Sequence, residues 1–204
     1  PVFDNFGDPL DREEALSKLG LDPAFRYILF FGLVREYKGL DILIRAFADE
    51  SLRNRGLKVL VAGEFYTDSK PYYELIKKHK LSDEVIIHPE FIPDHEVANW
   101  FCSADIIVQP YKSATQSGVT QIGYHFEKPM LVTNVGGLPE IIPHLRGGYV
   151  VSAEPSEVAR ALEDFFVNNR VDEFTEGIRK EKARFSWHTM ANNISLLMDQ
   201  IRQV

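Results

Sequence analysis

Cysteine is nearly missing from this sequence: Cys102, in NWFCSAD, is the only one in 204 residues. That excludes an intrachain disulfide and any cluster of thiolate metal ligands. Long apolar runs are missing too. ILFFGLV, the longest uninterrupted run in the first third of the chain, falls far short of the roughly 20 residues a membrane-spanning helix needs. Basic residues are in deficit, with 23 Lys and Arg against 30 Asp and Glu for a formal charge of -7, which argues against a nucleic-acid surface. The six histidines show no close ligand spacing, and no Asp-any-Asp pair offers itself to a magnesium diphosphate. No Gly-any-Ser-any-Gly elbow occurs either, so neither a metal nor a cofactor nor a covalent nucleophile is expected. The opening PVFDNFGDPLD has no basic-then-apolar leader pattern. It is rich in Pro, Asp and Gly, and residues 1–10 are expected to be an interdomain linker, with 11–204 forming one domain.

What is present is an ordinary globular composition, 45% hydrophobic and 26% charged, with nearly continuous apolar runs at 27–32, 58–63, 85–88, 106–109, 130–133 and 149–151. Runs that do not alternate are the pattern of strands buried on both faces. Helical spacing lies between them, at 41–52, 71–81, 94–103, 118–126 and 156–168. The strand–helix alternation predicts an α/β fold: a doubly wound, parallel, six-stranded Rossmann-like sheet with helices on both faces. Helices alone follow, at about 171–184 and 187–202. The last carries Trp187, Met190, Ile194, Leu197 and Ile201 as one apolar stripe, expected to close the domain or to reach a neighbouring one.

Ligands of such a sheet bind at the carboxyl ends of its strands, and two stretches there carry candidate chemistry. FFGLVREYKGLD, residues 30–41, places Gly32 at a strand end and Arg35 and Lys38 before a helix whose dipole favours anions. A diphosphate would satisfy the two cations. Pairing of both with surface carboxylates such as Glu36 or Asp41 is the structural alternative. SATQSGVTQ, residues 113–121, opens the helix after the fourth strand with Gln116, Ser117, Gly118 and Val119, whose amides are expected to face the same edge. An ordinary Ser N-cap explains this stretch equally well.

FFGLVREYKGLDILIRAF, VLVAGE, VIIHPEFIPDHEVANWFCSADIIVQPY and KPMLVTNVGGLPEII stand in an order and at separations that resemble one family across nearly the whole chain. It is similar to the C-terminal, donor-binding half of retaining glycosyltransferases of the group-1 (family 4) type, with the GT-B fold. The resemblance implies a nucleotide-diphosphate sugar as ligand, gripped by Arg35 and Lys38 in the catalytic role. Gly32, Glu64 and Gln116 to Val119 would then lie around the diphosphate and sugar, and the base would rest near Phe91 and Ile92. It implies a hydroxyl acceptor, a glycan or a lipid-linked one, held by an N-terminal domain. It also implies a cytoplasmic setting, with peripheral attachment to the inner face of a membrane left open, and a place in glycan or polysaccharide biosynthesis.

The chain departs from the family in two places. The family arginine usually follows the strand-ending glycine directly, where this chain has Leu33. The family's two glutamates, seven residues apart, fall on Ala114 and Ile122 when aligned on Pro129, or on Ser113 and Gln121 one residue earlier; Gln121 would give a ribose hydroxyl a neutral hydrogen bond. TQSGVTQ also resembles the uridine-diphosphate loop of non-hydrolysing sugar 2-epimerases. A module that only binds nucleotides is the third reading.

Overall fold

The computed structural model describes residues 2, 3 and 5–202, apart from the side chains of 197 and 199–202. In chain order the regular elements are α1 (Arg12–Lys18), β1 (Arg26–Phe31), α2 (Leu40–Phe47), β2 (Leu57–Ala62), α3 (Lys70–Lys78), β3 (Val85–His88), α4 (Val97–Ser103) and β4 (Ile106–Gln109). They continue with α5 (Gly118–His125), β5 (Met130–Thr133), α6 (Leu138–Ile141), β6 (Gly148–Val151), α7 (Pro155–Val167), α8 (Val171–Lys182) and α9 (Trp187–Arg202).

All six strands pair in parallel, in the order β3-β2-β1-β4-β5-β6. The fold class is therefore the one the apolar runs predict. Successive residues of a strand point to opposite faces, and the two cores divide accordingly. Ile28, Phe30, Val59, Val61, Ile106 and Val108 pack under α2, α3 and α7. Tyr27, Leu29, Phe31, Leu60 and Ile107 pack under α1, α4 and α5. Strands covered on both sides have no polar face to show, which is why the sequence runs did not alternate.

Some helices differ from the sequence expectation. The helix expected at 41–52 stops at Phe47, because the Asp49 carboxylate accepts the Ser51 N–H at 2.9 Å and starts a separate 3-10 turn, Glu50–Leu52. A 3-10 turn at Asp94–Glu96 likewise precedes α4. α1 was not expected: only Ala15 and Leu16 of its seven residues are buried, too short a stripe to show a period, although Asp11 caps it by accepting the Glu13 N–H.

Within the segment expected as a linker, 1–10, the described residues Val2, Phe6 and Leu10 pack against the core under α1, α4 and α5, and the Gly7 carbonyl lies 2.7 Å from Nε2 of His125. On α9, Trp187, Met190 and Ile194 are exposed; the side chains of Leu197 and Ile201, the rest of the expected stripe, lie outside the described residues. Among the described residues no helix is long and apolar enough to cross a membrane.

β1 and β4 are locked side by side at their amino ends by Asp105. Its buried carboxylate accepts the Tyr27 N–H and Arg26 Nε, both at 2.7 Å. At their carboxyl ends the chain parts, from β1 to α2 over one face and from β4 to α5 over the other. A crevice opens where the connections diverge, the usual ligand position in open α/β sheets.

Candidate functional site

The first wall of the crevice follows β1. Gly32 ends the strand, Arg35 follows, and Glu36–Lys38 form a 3-10 turn that hands over to α2 at Gly39. Gly39 takes φ 70° and sits so close to the neighbouring connection that a Cβ there would stand 2.0 Å from the Pro110 carbonyl oxygen. A side chain at 39 would push the two loops apart. Lys38 thus precedes α2 rather than occupying its first turn, where Asp41 suits the dipole instead.

The Lys38 side chain folds back over the strand end. A Cβ at residue 32 would lie 3.3 Å from its Nζ and 3.8 Å from Cγ2 of Val119, so only glycine gives the ammonium this seat without displacement. The Tyr111 ring centroid is 5.8 Å from the same nitrogen. The structure does not adopt the surface-pairing alternative. Asp41 pairs with Lys112 at 2.9 Å, and among the described residues neither Arg35 nor Lys38 has a carboxylate within salt-bridge distance. Arg35 is exposed and rests on the Tyr66 ring, 5.1 Å from its centroid. Burial, with the Arg35 charge nearby, lowers the Lys38 pKa to about 8. An unpaired, partly desolvated ammonium is poised for an anion.

The second wall is the start of α5. Ser117 takes extended dihedrals and its hydroxyl accepts the Val119 N–H at 3.2 Å. The Val119 amide, expected to be free, is therefore capped from within. The amides of Ser117 and Gly118 have no backbone acceptor among the described residues. Two glycines brace this loop from behind. Gly136, at φ 51°, would put a Cβ 1.7 Å from the Ala114 carbonyl oxygen, and the Gly137 N–H donates to the Thr115 carbonyl at 2.8 Å. The VGG of VGGLPE is thereby explained as close backbone packing.

Lys38, Gln116, Ser117, Gly118 and Val119 line one cavity of about 280 Å³, with Phe3, Phe6, Tyr37, Tyr111 and Ile122. Gly32 lies beside them, at the distances from Lys38 and Val119 that a Cβ there would have. Glu64, Phe91, Ile92 and Gln121 do not line it. Glu64 is exposed, Phe91 is exposed beyond β3, and Ile92 is buried in the core. Gln121 is half-buried on α5 with Oε1 lacking a hydrogen-bond partner. Among the described residues no three His, Cys, Asp or Glu side chains come together as metal ligands.

Sequence reasoning missed Tyr111 and Tyr37. Tyr111 lies two residues beyond β4, at the same carboxyl edge that drew attention to Gly32, and that position was the available signal. The aromatic wall from Phe3 and Phe6 had none, because it depends on where residues 1–10 fold.

A family model described as "Glycosyl transferases group 1" matches residues 25–168. Among curated proteins, the D-inositol 3-phosphate glycosyltransferase of Streptomyces griseus subsp. griseus is 30% identical over 194 residues. The match takes in 90% of this chain and 41% of that protein, so the chain spans less than half of the relative's length. Two solved structures share the fold. One is the C-terminal domain of a glycosyl transferase group 1 family protein from Francisella tularensis, with TM-score 0.76, 18% identity, and 90% of this chain and 97% of that one covered. The other is Anabaena HepE in complex with UDP, with TM-score 0.81, 17% identity, and 95% and 54% covered.

Proposed function

The chain belongs to the group 1 glycosyl transferases, and from that premise we propose that it is the nucleotide-sugar-binding half of an enzyme that moves a sugar from a nucleotide-diphosphate donor to a hydroxyl acceptor with retention. The observation that carries the reading is the Lys38 ammonium, unpaired and half-buried, across one cavity from the start of α5. As the glycosidic C–O bond breaks, negative charge grows on the departing diphosphate. Cations and amides already aimed at that charge stabilise it without reorganising. Only the part of the attraction that increases from ground to transition state accelerates the step.

In this reading Lys38 and Arg35 hold the diphosphate, and the Ser117 and Gly118 amides with Gln116 bind its oxygens. Gln121, whose Oε1 is buried and unpartnered in the free chain, reaches a ribose hydroxyl once its side chain turns outward, and the base extends towards Phe91 and Ile92. Glu64, at the end of the neighbouring strand β2, faces the donor from the side of Arg35. The cavity presents donors rather than carboxylates, so binding is metal-free. The acceptor, a glycan or a lipid-linked one, is held by a further domain, and the full protein works in glycan biosynthesis on the cytoplasmic side, at or near a membrane.

Calorimetric titration of the chain with UDP, GDP and ADP in excess chelator tests this. At least one diphosphate binds, and Lys38→Ala weakens it. Strict dependence on added magnesium or manganese, or unchanged affinity in the variant, refutes the site.

A further inference from the structure

Tyr111 touches both walls of the crevice. Its ring carries the Lys38 ammonium at 5.8 Å from the centroid and meets Tyr37 edge-on at 6.0 Å. Its carbonyl accepts the Thr133 hydroxyl at 2.5 Å, which ties it to β5. Its own hydroxyl reaches Ser117 Oγ at 3.2 Å. The residue is only 3% exposed, so water does not compete freely for that hydroxyl.

We propose that Tyr111 is a positioning residue for the donor diphosphate: its buried hydroxyl donates to Ser117 Oγ and so leaves the Ser117 hydroxyl hydrogen to be given to a phosphate oxygen. The proposal rests on the donor-binding reading and goes beyond it, by assigning the direction of a hydrogen bond that sets the chemistry of the cavity wall.

The argument is one of counting donors and acceptors. A serine oxygen has two lone pairs and one hydrogen. The Val119 N–H takes one lone pair at 3.2 Å. If Ser117 donated to Tyr111, the phenol hydrogen would be buried with no acceptor among the described residues, and an unmet buried donor is costly. If Tyr111 donates, both lone pairs of Ser117 are filled, the more buried phenol hydrogen is met, and the hydrogen left over is on Ser117, the less buried of the two residues at 8% against 3% exposed. Both residues line the cavity with Lys38, Gln116 and Gly118, and Ser117, at the start of α5, is the one whose hydrogen is left there. An anion is the ligand that accepts from it. Burial pushes the Tyr111 phenol up to about 12, so it keeps its proton throughout the range in which Lys38 titrates.

The test is a double-mutant cycle read as UDP affinity, with wild type, Tyr111→Phe, Ser117→Ala and the double variant. Tyr111→Phe keeps the ring under Lys38 and removes only the hydroxyl; it weakens binding about threefold to tenfold, the worth of one hydrogen bond. Ser117→Ala weakens it at least as much. The double variant is no weaker than Ser117→Ala alone, because Tyr111 acts through Ser117. The alkaline fall in affinity set by Lys38 stays at the same pH in Tyr111→Phe, whereas a general loosening of the loop would move it. Losses that add, or wild-type affinity in Tyr111→Phe, overturn the proposal. Lys38→Met in the same series separates the two failures. Weakening there with Tyr111→Phe unaffected strikes only this assignment, and an unweakened Lys38→Met strikes the donor-binding reading itself.

Discussion

Replacing Lys38 by methionine should cost binding and not stability. In the fold the Lys38 pKa is lowered from 10.5 to about 8, chiefly by burial and secondarily by Arg35. That lowering corresponds to roughly 3 kcal/mol against the charged form, and the water that still reaches the ammonium reduces this. The sign follows from proton counting. Between pH 8 and 10.5 the unfolded chain binds more protons at this position than the native one, so stability rises with pH across that window. Below pH 8 the native state carries the full penalty of a charged, poorly solvated lysine.

Lys38→Met removes that penalty and nearly preserves the apolar stem, so at pH 7 its melting temperature equals or exceeds that of the wild type. Diphosphate affinity moves the other way. One charge-assisted contact is worth about 1.5 to 3 kcal/mol, or roughly tenfold to hundredfold in Kd. Wild-type affinity itself falls as pH rises through about 8, where the free lysine loses its proton, and the variant loses this pH dependence. Calorimetry at pH 7 and pH 9, with thermal melts of both proteins, reads all of this. A variant that melts several degrees lower while binding UDP as before would show that Lys38 is structural.

Gly136→Ala is expected to destabilise the chain by more than about 2 kcal/mol, since φ is 51° and the new methyl would meet the Ala114 carbonyl. Gly7→Ala, with similar φ but nothing within 4 Å, should cost no more than about 1 kcal/mol; equal losses in denaturant melts would show that the contact with the 113–116 loop does not matter. Arg35→Ala should leave the melting temperature unchanged, because the side chain is exposed, rests on the Tyr66 ring and has no carboxylate within salt-bridge distance among the described residues. It should weaken diphosphate binding about threefold to tenfold, with the difference shrinking as salt is raised. Salt-independent affinity shared by both proteins would remove Arg35 from the site.

Much of the fold was legible because buried parallel strands have no polar face: YILFFG, KVLVAG and IIVQ announce themselves by continuity. The ligand edge, at the carboxyl ends of the strands, followed from the strand–helix alternation, and Gly32 and Lys38 were visible as a strand-ending glycine with a cation where a helix start would favour an acid. Less legible were features set by contacts far apart in sequence. Nothing local to Gly39 says that the Pro110 carbonyl will lie against it, and nothing local to Tyr111 says that Lys38 will lie over its ring. At the Val119 amide the Ser N-cap alternative holds, a choice left open in the sequence because capping is decided by the rotamer of one serine. α1 escaped because its core contact is two residues wide. The family resemblance placed Phe91, Ile92, Glu64 and Gln121 near a ligand, yet none of them lines the cavity that holds Lys38.

The central claim is that a diphosphate binds between the connection after β1 and the start of α5. Hydrogen–deuterium exchange with and without saturating UDP tests it most directly, because it reports which backbone amides the ligand covers or rigidifies. The account predicts protection concentrated in residues 32–39 and 113–121, and loss of that protection in Lys38→Met at the same UDP concentration. Protection confined to other segments, such as 64–75, or none at a concentration where calorimetry shows saturation, would contradict it.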